Sequence, residues 1–204
     1  KEPLQDMVHE AQLAVDRAKA RPDCTVFDRK ENRIKGKIVE GWNRDALAVS
    51  LFKRSGETIR WGTGFLARSV GGTSAASAAF ELLEYLRLHY RVPVDNPKAE
   101  MPISGKFPHR LSELLDRYEI DTPLTNQLLD VAKAEVAWAV TQQTPERAGS
   151  GFDQAELLRC CEAYLQQLFD FHWDDRRRWL HSPRPLREFI NLFALEAFIA
   201  RQAE

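Results

Sequence analysis

ALAVSLFKRSGETIRWGTGFL, residues 46–66, is the segment that decides the fold. Its first part, Ala46–Lys53, is rich in apolar and β-branched residues and is typical of a strand. Arg54–Glu57 has the composition of a tight turn, and Thr58–Leu66 then returns as a second strand. The second strand is expected to place three side chains on one face: Ile59, Trp61 and Thr63. The segment therefore predicts an antiparallel hairpin.

The residues before the hairpin predict one helix and further short strands. Thr25–Phe27 and Arg33–Trp42 have strand composition, which brings the expected sheet to three or four antiparallel strands. Closer to the N-terminus, apolar residues recur at helical spacing, and Pro22 ends the pattern. These apolar residues are Leu4, Val8, Ala11 and Val15. We expect a short amphipathic helix that packs this face against the rest of the protein.

The residues after the hairpin are expected to be mainly helical. Ser74–Tyr90 predicts a helix that covers the sheet, with Thr73 or Ser74 as its N-cap. Four prolines in 91–109 predict a linker or long loop. Four more helices are predicted over Arg110–Tyr118, Pro123–Gln143, Ala155–Phe171 and Leu186–Arg201. The fold class is α+β: an N-terminal helix, a small antiparallel β-sheet with a covering helix, then a helical C-terminal bundle. The expected domains are 1–92 (basic, α/β), 93–109 (Pro-rich linker or long loop) and 110–204 (helical).

Composition places the chain among ordinary globular proteins. It has 204 residues, 44% of them hydrophobic and 29% charged, with a net charge of −1. Three cysteines, two of them adjacent, do not form a disulfide framework and indicate a reducing compartment. No apolar run approaches the roughly 18 residues that a membrane span needs. We expect a soluble, cytoplasmic protein with no membrane segment, no cofactor and no metal.

Positive charge is concentrated in the β-rich part of the chain. Residues 29–68 contain ten Lys or Arg against four Asp or Glu, a net charge of +6 that leaves −7 for the rest. Aromatic residues beside cations are what stacking on exposed bases requires, so DNA or RNA is an expected partner. The alternative is that the cations lie on the wet face of the sheet while the tryptophans are core. The candidate nucleic-acid-binding residues are Lys35, Lys37, Arg44, Lys53, Arg54, Arg60, Arg68, Trp42 and Trp61.

A second candidate surface lies in the helical part. Three arginines flanked by tryptophans can bind phosphates or stack on the rings of a partner. The alternative is a local network in which Asp174 and Asp175 pair with the arginines at helical spacing. The candidate partner- or phosphate-binding residues are Trp173, Arg176, Arg177, Arg178 and Trp179.

The last predicted helix is apolar around nearly its full circumference. Such a helix is either central to a bundle or buried against a partner. We therefore expect a protein partner or a homo-oligomer through this C-terminal helix as one interpretation, and a central bundle helix as the other.

No motif in the chain is specific enough to name a reaction. Gly71-Gly72 before a helix exposes amides that can hold an anion, but the lysine of a phosphate-binding loop is absent. The hypothesis that follows is a non-enzymatic, macromolecule-binding subunit or adaptor, associated with nucleic acid and working within a larger protein assembly. The alternatives are an enzyme with its site between the two parts near the Gly71-Gly72 turn, and a plain protein–protein interaction module.

Overall fold

The fold was analysed in a computed structural model. The structure describes residues 4–19, 26–28, 33–35, 46–53, 55–67, 75–90, 101–118, 126–148, 151–169, 172–173, 179–180 and 185–202. The architecture is α+β, as the sequence predicts.

The described residues form six helices and five short strand pairs. The helices are α1 (Leu4–Lys19), α2 (Ala78–His89), α3 (Phe107–Leu115), α4 (Asn126–Gln143), α5 (Gln154–Phe169) and α6 (Pro185–Gln202). The strands are β1 (Val26–Asp28), β2 (Arg33–Lys35), β3 (Ala46–Phe52), β4 (Thr58–Gly64), β5 (Leu66–Ala67), β6 (Ala75–Ala76), β7 (Arg147–Ala148), β8 (Phe152–Asp153), β9 (His172–Trp173) and β10 (Trp179–Leu180). None of these helices is long and apolar enough to cross a lipid bilayer.

The predicted hairpin is confirmed. Strands β3 and β4 pair antiparallel in a register that runs from Ala46 opposite Gly64 to Phe52 opposite Thr58. Gly56 in the connecting turn has φ of +84°, a conformation that side chains with a Cβ rarely adopt, which explains glycine at this position. The predicted inner face is also confirmed, since Ile59, Trp61 and Thr63 are all buried.

The strands that the structure describes do not form one sheet of three or four strands. Within the described residues each strand has a single partner: β1 with β2, β3 with β4, β5 with β6, β7 with β8 and β9 with β10. The hairpin β3–β4 is the largest pair, and it is covered by helices instead of further strands. α1 packs on β3, and α6 packs on β4.

Helix α2 begins later than the sequence predicts. Ala75 and Ala76 lie in β6 opposite Ala67 and Leu66, and the Ser77 amide donates to the Phe65 carbonyl at 3.2 Å. These bonds hold the chain extended up to Ser77, whose hydroxyl then accepts from the Ala79 amide as the true N-cap. The expected caps, Thr73 and Ser74, lie outside the described residues.

One hydrophobic core spans both predicted domains. It includes Trp61 of β4, Leu82 of α2 and most of the inward faces of α4, α5 and α6. The segment predicted as a linker contributes Ile103, which is fully buried, and the start of α3. The basic hairpin and the helical bundle therefore pack as neighbours in one core.

Helix α6 is the central helix of the bundle. Phe189, Leu192 and Phe193 are fully buried, and the helix contacts α2, α3, α5 and β4. Among its described large apolar residues only Ile199 is exposed. The expectation that this helix is the surface for a partner or a second copy is wrong, because its apolar circumference is covered by its own chain.

Candidate interaction surface

The hairpin presents two chemically different faces. Val49 and Leu51 of β3 lie opposite Trp61 and Ile59 of β4, and these four side chains pack into or against the core. Residues one position along each strand point to the other face, because side chains alternate. Ser50 lies opposite Arg60 on that outer face, between the pairs Ala48–Gly62 and Phe52–Thr58, so the hairpin offers helix α1 a mixed surface with a polar centre.

Helix α1 meets the polar centre of that surface with Glu10 and Arg17, which lie beside the half-buried Leu13 and Ala14. The Arg60 guanidinium donates twice to the Glu10 carboxylate, with one bond of 3.1 Å through Nε. The Ser50 hydroxyl donates to the same carboxylate at 3.2 Å, and Arg17 donates to the Ser50 hydroxyl at 2.9 Å and to the Val49 carbonyl at 3.4 Å. These bonds fix which side of α1 faces the protein.

Glu10 is the centre of this junction. It is buried, whereas the Arg60 side chain remains half exposed. The hydrogen bond from Arg60 lowers the pKa of Glu10 below its ordinary value, and burial opposes that shift only in part. The charge of Arg60, the Ser50 hydrogen bond and the charge of Arg17 lower it further. Glu10 is therefore held as a carboxylate bound to two strands of the hairpin.

The apolar side of α1 consequently faces away from the hairpin. Leu4 is 75% exposed, Val8 50% and Val15 47%, and Ala11 between them is also exposed. Met7 adjoins them and is 49% exposed. We call these five residues the α1 stripe. The sequence predicts this face correctly but assigns it to packing, and that assignment is wrong because Glu10 and Arg17 bind the hairpin from another side of the helix and leave this face exposed.

Two predicted nucleic-acid-binding cations have described side chains, and both are ion-paired. Lys53 lies 2.8 Å from Glu57 across the hairpin turn, and Arg60 binds Glu10. Lys35 lies in β2, where the structure describes the strand. The remaining candidates of this group lie outside the described residues: Lys37, Trp42, Arg44, Arg54 and Arg68.

Trp61 is a core residue and not a stacking platform for bases. It is 1% exposed, and its indole N–H donates to the hydroxyl of Tyr164 on α5 at 3.0 Å. The indole therefore joins the hairpin to the helical bundle. The interpretation of Trp61 as a nucleic-acid contact is wrong, because no base can reach its ring.

The structure describes only the two ends of residues 173–179, which we call the Trp/Arg segment. Trp173 lies opposite Trp179 in the antiparallel pair β9–β10. Arg176, Arg177 and Arg178 lie outside the described residues, as does the Gly71-Gly72 turn of the alternative enzyme hypothesis. The partner- or phosphate-binding role of this segment stays a prediction.

Several groups that can carry chemistry are embedded in the core. Cys160 and Cys161 are free and buried, and burial raises the pKa of both thiols, which opposes thiolate formation. Tyr164 is buried, and desolvation likewise raises the pKa of its hydroxyl. Across the described ranges, no three His, Cys, Asp or Glu side chains come close enough together to hold a metal ion.

Comparison with known proteins leaves the function open. No protein-family model, no curated protein and no solved structure matches this chain.

Proposed function

We propose that this chain is a macromolecule-binding subunit of a larger protein assembly, and that the α1 stripe is its docking surface for protein. The observation that carries this proposal is the outward apolar face of α1, with Leu4, Met7, Val8 and Val15 each about half exposed or more. Contiguous apolar surface of this kind marks interaction sites in folded proteins. Glu10 binds Arg60 from another side of the helix, so this contact leaves the stripe accessible.

The test is site-specific photocrosslinking in the cells that express the protein. A benzophenone amino acid at Val8 should form a covalent adduct of defined mass with a protein partner. The same amino acid at Leu88, which is 59% exposed on α2, is the matched control and should not form it. Leu4→Asp with Val15→Asp should abolish the Val8 adduct, because a buried, unpaired carboxylate is costly at an apolar contact. Equal labelling from Val8 and Leu88 would contradict the proposal.

A second candidate function is association with DNA or RNA through the basic region 29–68. It is supported by the +6 net charge of that region and by Phe65, which is half exposed beside the hairpin with its ring stacked on Phe80. Phosphate contacts by lysine and arginine give binding that weakens steeply with salt. Trp61 takes no part in this role, since it is core.

Fluorescence anisotropy with labelled single- and double-stranded DNA and RNA tests this second function. Lys35→Ala, Lys37→Ala and Lys53→Ala together should weaken binding and lower the slope of log K against log salt by roughly 0.7–0.9 for each phosphate that these lysines neutralise. An Arg176→Ala, Arg177→Ala, Arg178→Ala variant tests in the same way whether the Trp/Arg segment contributes to nucleic-acid binding. Absence of binding at low salt by the unmodified chain would contradict this function. The basic region and the Trp/Arg segment would then be interpreted as surfaces that bind protein.

A further inference from the structure

The outward edge of strand β3 carries unpaired backbone groups. The Lys53 amide donates to the Glu57 carbonyl at 2.8 Å, and this bond sets the alternation of the antiparallel β3–β4 ladder. Within the described part of the chain, no hydrogen bond reaches the amides and carbonyls that point away from β4. These groups, which we call the β3 edge, belong to every second residue of the strand: Ala46, Ala48, Ser50 and Phe52.

The corresponding groups of strand β4 are bound by helix α6. The Asn191 side chain donates to the Arg60 carbonyl at 2.7 Å, and the Gly62 amide donates to the Glu188 carboxylate at 3.2 Å. Several residues of β4 are buried as a result, whereas no residue of β3 is. Among the described elements, α6 therefore binds the outer edge of β4, and none forms a hydrogen bond with the β3 edge.

Strand β3 also lacks the features that keep a free edge from pairing. Natural edge strands are protected by charged side chains, by proline, by bulges or by being very short. β3 has seven residues, none of which is charged or proline, and its register with β4 runs without a bulge. An edge of this kind is a template for a further strand.

We propose that the β3 edge binds an extended peptide segment of a partner protein, which adds to the hairpin as a third strand. The free amides and carbonyls recur at every second residue, about 6.8 Å apart, and the backbone of another extended chain presents complementary groups at the same repeat. Beside them, the side chains of Leu47, Val49 and Leu51 share one face of the strand, and Leu47 is 37% exposed. The added segment should therefore carry apolar residues at alternate positions.

Amide hydrogen exchange, followed residue by residue by nuclear magnetic resonance, tests whether the edge is open. The amides of Ala48, Ser50 and Phe52 should exchange much faster than those of Val49 and Leu51, which bond to β4, at every protein concentration. Slow exchange of the edge amides at low concentration would show that the chain itself covers the edge. Slow exchange at high concentration alone would show that a second copy covers it. Either result overturns the proposal.

Selection from phage-displayed random peptides tests what the edge binds. Peptides of about ten residues are used, since they can span the seven residues of β3. The selected peptides should carry apolar residues at alternate positions. Ala48→Pro should weaken their binding by about tenfold or more, because an added strand loses one hydrogen bond and meets the proline ring. The ladder to β4 does not use this amide, so the hairpin should persist.

Ala48→Gly is the matched control, since it removes the same side chain but keeps the amide, and it should bind the peptides like the unmodified chain. A second pair of variants avoids proline. Leu47→Lys adds a charge at the edge and should weaken binding, whereas Leu88→Lys, at an exposed apolar residue of α2, should not. Circular dichroism checks that each variant keeps its fold, and the Lys pair decides if Ala48→Pro does not.

This inference concerns a different surface from the α1 stripe, and the two proposals fail separately. A selection that yields no peptide with the alternating pattern overturns it, as do selected peptides that bind Leu47→Lys and Leu88→Lys equally well. Leu4→Asp with Val15→Asp, which should abolish the Val8 adduct, should leave peptide binding at the β3 edge unchanged. Loss of peptide binding in that variant would place the peptide on α1 and contradict binding at the edge.

Discussion

At the scale of single residues, Glu10 decides how the N-terminal helix is oriented. A carboxylate is seldom buried unless cations or hydrogen-bond donors surround it, and here Arg60, Ser50 and Arg17 provide them. Turning α1 to bury its apolar stripe would expose that carboxylate and leave Arg60 facing apolar side chains. The observed orientation therefore keeps the buried carboxylate paired and leaves the aliphatic stripe exposed.

Glu10→Gln should destabilise the protein at pH 7 by about 1 kcal/mol, a value kept small because Arg60 is half exposed to water. The folded-state pKa of Glu10 lies below its ordinary value of 4.5. The carboxylate therefore stabilises the fold above about pH 4.5, and this contribution is lost as the pH falls through the lowered pKa. Urea unfolding of both proteins at pH 7 and pH 3 measures the effect. The difference in the free energy of unfolding between the unmodified protein and Glu10→Gln should be smaller at pH 3 than at pH 7.

Glu57→Gln is the control for this prediction. Glu57 also pairs with a cation, Lys53, but its side chain is 63% exposed and the pair lies in the hairpin turn. Exposed ion pairs contribute little to stability, so this substitution should change the free energy of unfolding by less than about 0.5 kcal/mol. An equal loss in both variants would show that Glu10 has no special role in holding α1.

At the scale of elements, the start of helix α2 is decided by tertiary contacts. The Ser77 hydroxyl accepts from the Ala79 amide, lies 3.0 Å from the Thr63 hydroxyl and accepts from the Gln167 side chain at 2.8 Å. Gln167 also accepts from the Ala78 amide at 2.7 Å. The N-cap is therefore shared between the hairpin, α2 and α5.

Ser77→Ala should cost about 1–3 kcal/mol, because it removes the cap and the hydrogen bonds that the Thr63 hydroxyl and the Gln167 side chain make with the Ser77 hydroxyl. Ser74→Ala, at the cap that the sequence favours, should cost less than about 0.5 kcal/mol. Chemical denaturation of the two variants compares them. A larger loss of stability for Ser74→Ala than for Ser77→Ala would indicate that helix α2 begins at the earlier cap that the sequence predicts.

Local sequence is sufficient to predict some elements of the fold, but it does not predict where α2 begins or which way α1 faces. The hairpin, its turn and the helices α3 to α6 follow from apolar periodicity and turn residues, which are properties of neighbouring positions. The start of α2 and the outward face of α1 depend on partners far along the chain: Ser77 meets Gln167, and Glu10 meets Arg60. Amphipathic pattern identified the α1 stripe but carried no information about which surface the helix would meet.

At the scale of the whole molecule, the basic hairpin and the helical bundle are joined through the core. Trp61 reaches Tyr164, the Gly62 amide donates to Glu188 at 3.2 Å, and Asn191 donates to the Arg60 carbonyl at 2.7 Å. The middle of strand β4 is thereby attached to α5 and α6. The same strand holds Arg60, which binds Glu10, so helix α1 is joined to the bundle through β4.

Because β4, α2 and the bundle share one core, the chain should unfold in a single transition instead of one transition for each predicted domain. Far-ultraviolet circular dichroism, which follows the helices, and tryptophan fluorescence should give coincident curves in urea. Tyr164→Phe leaves the buried indole N–H of Trp61 unpaired and should shift both curves together by about 1–3 kcal/mol. If the fluorescence curve alone moves, or if two transitions separate, the hairpin and the bundle are independent units and the position of the α1 stripe relative to the bundle has to be measured separately.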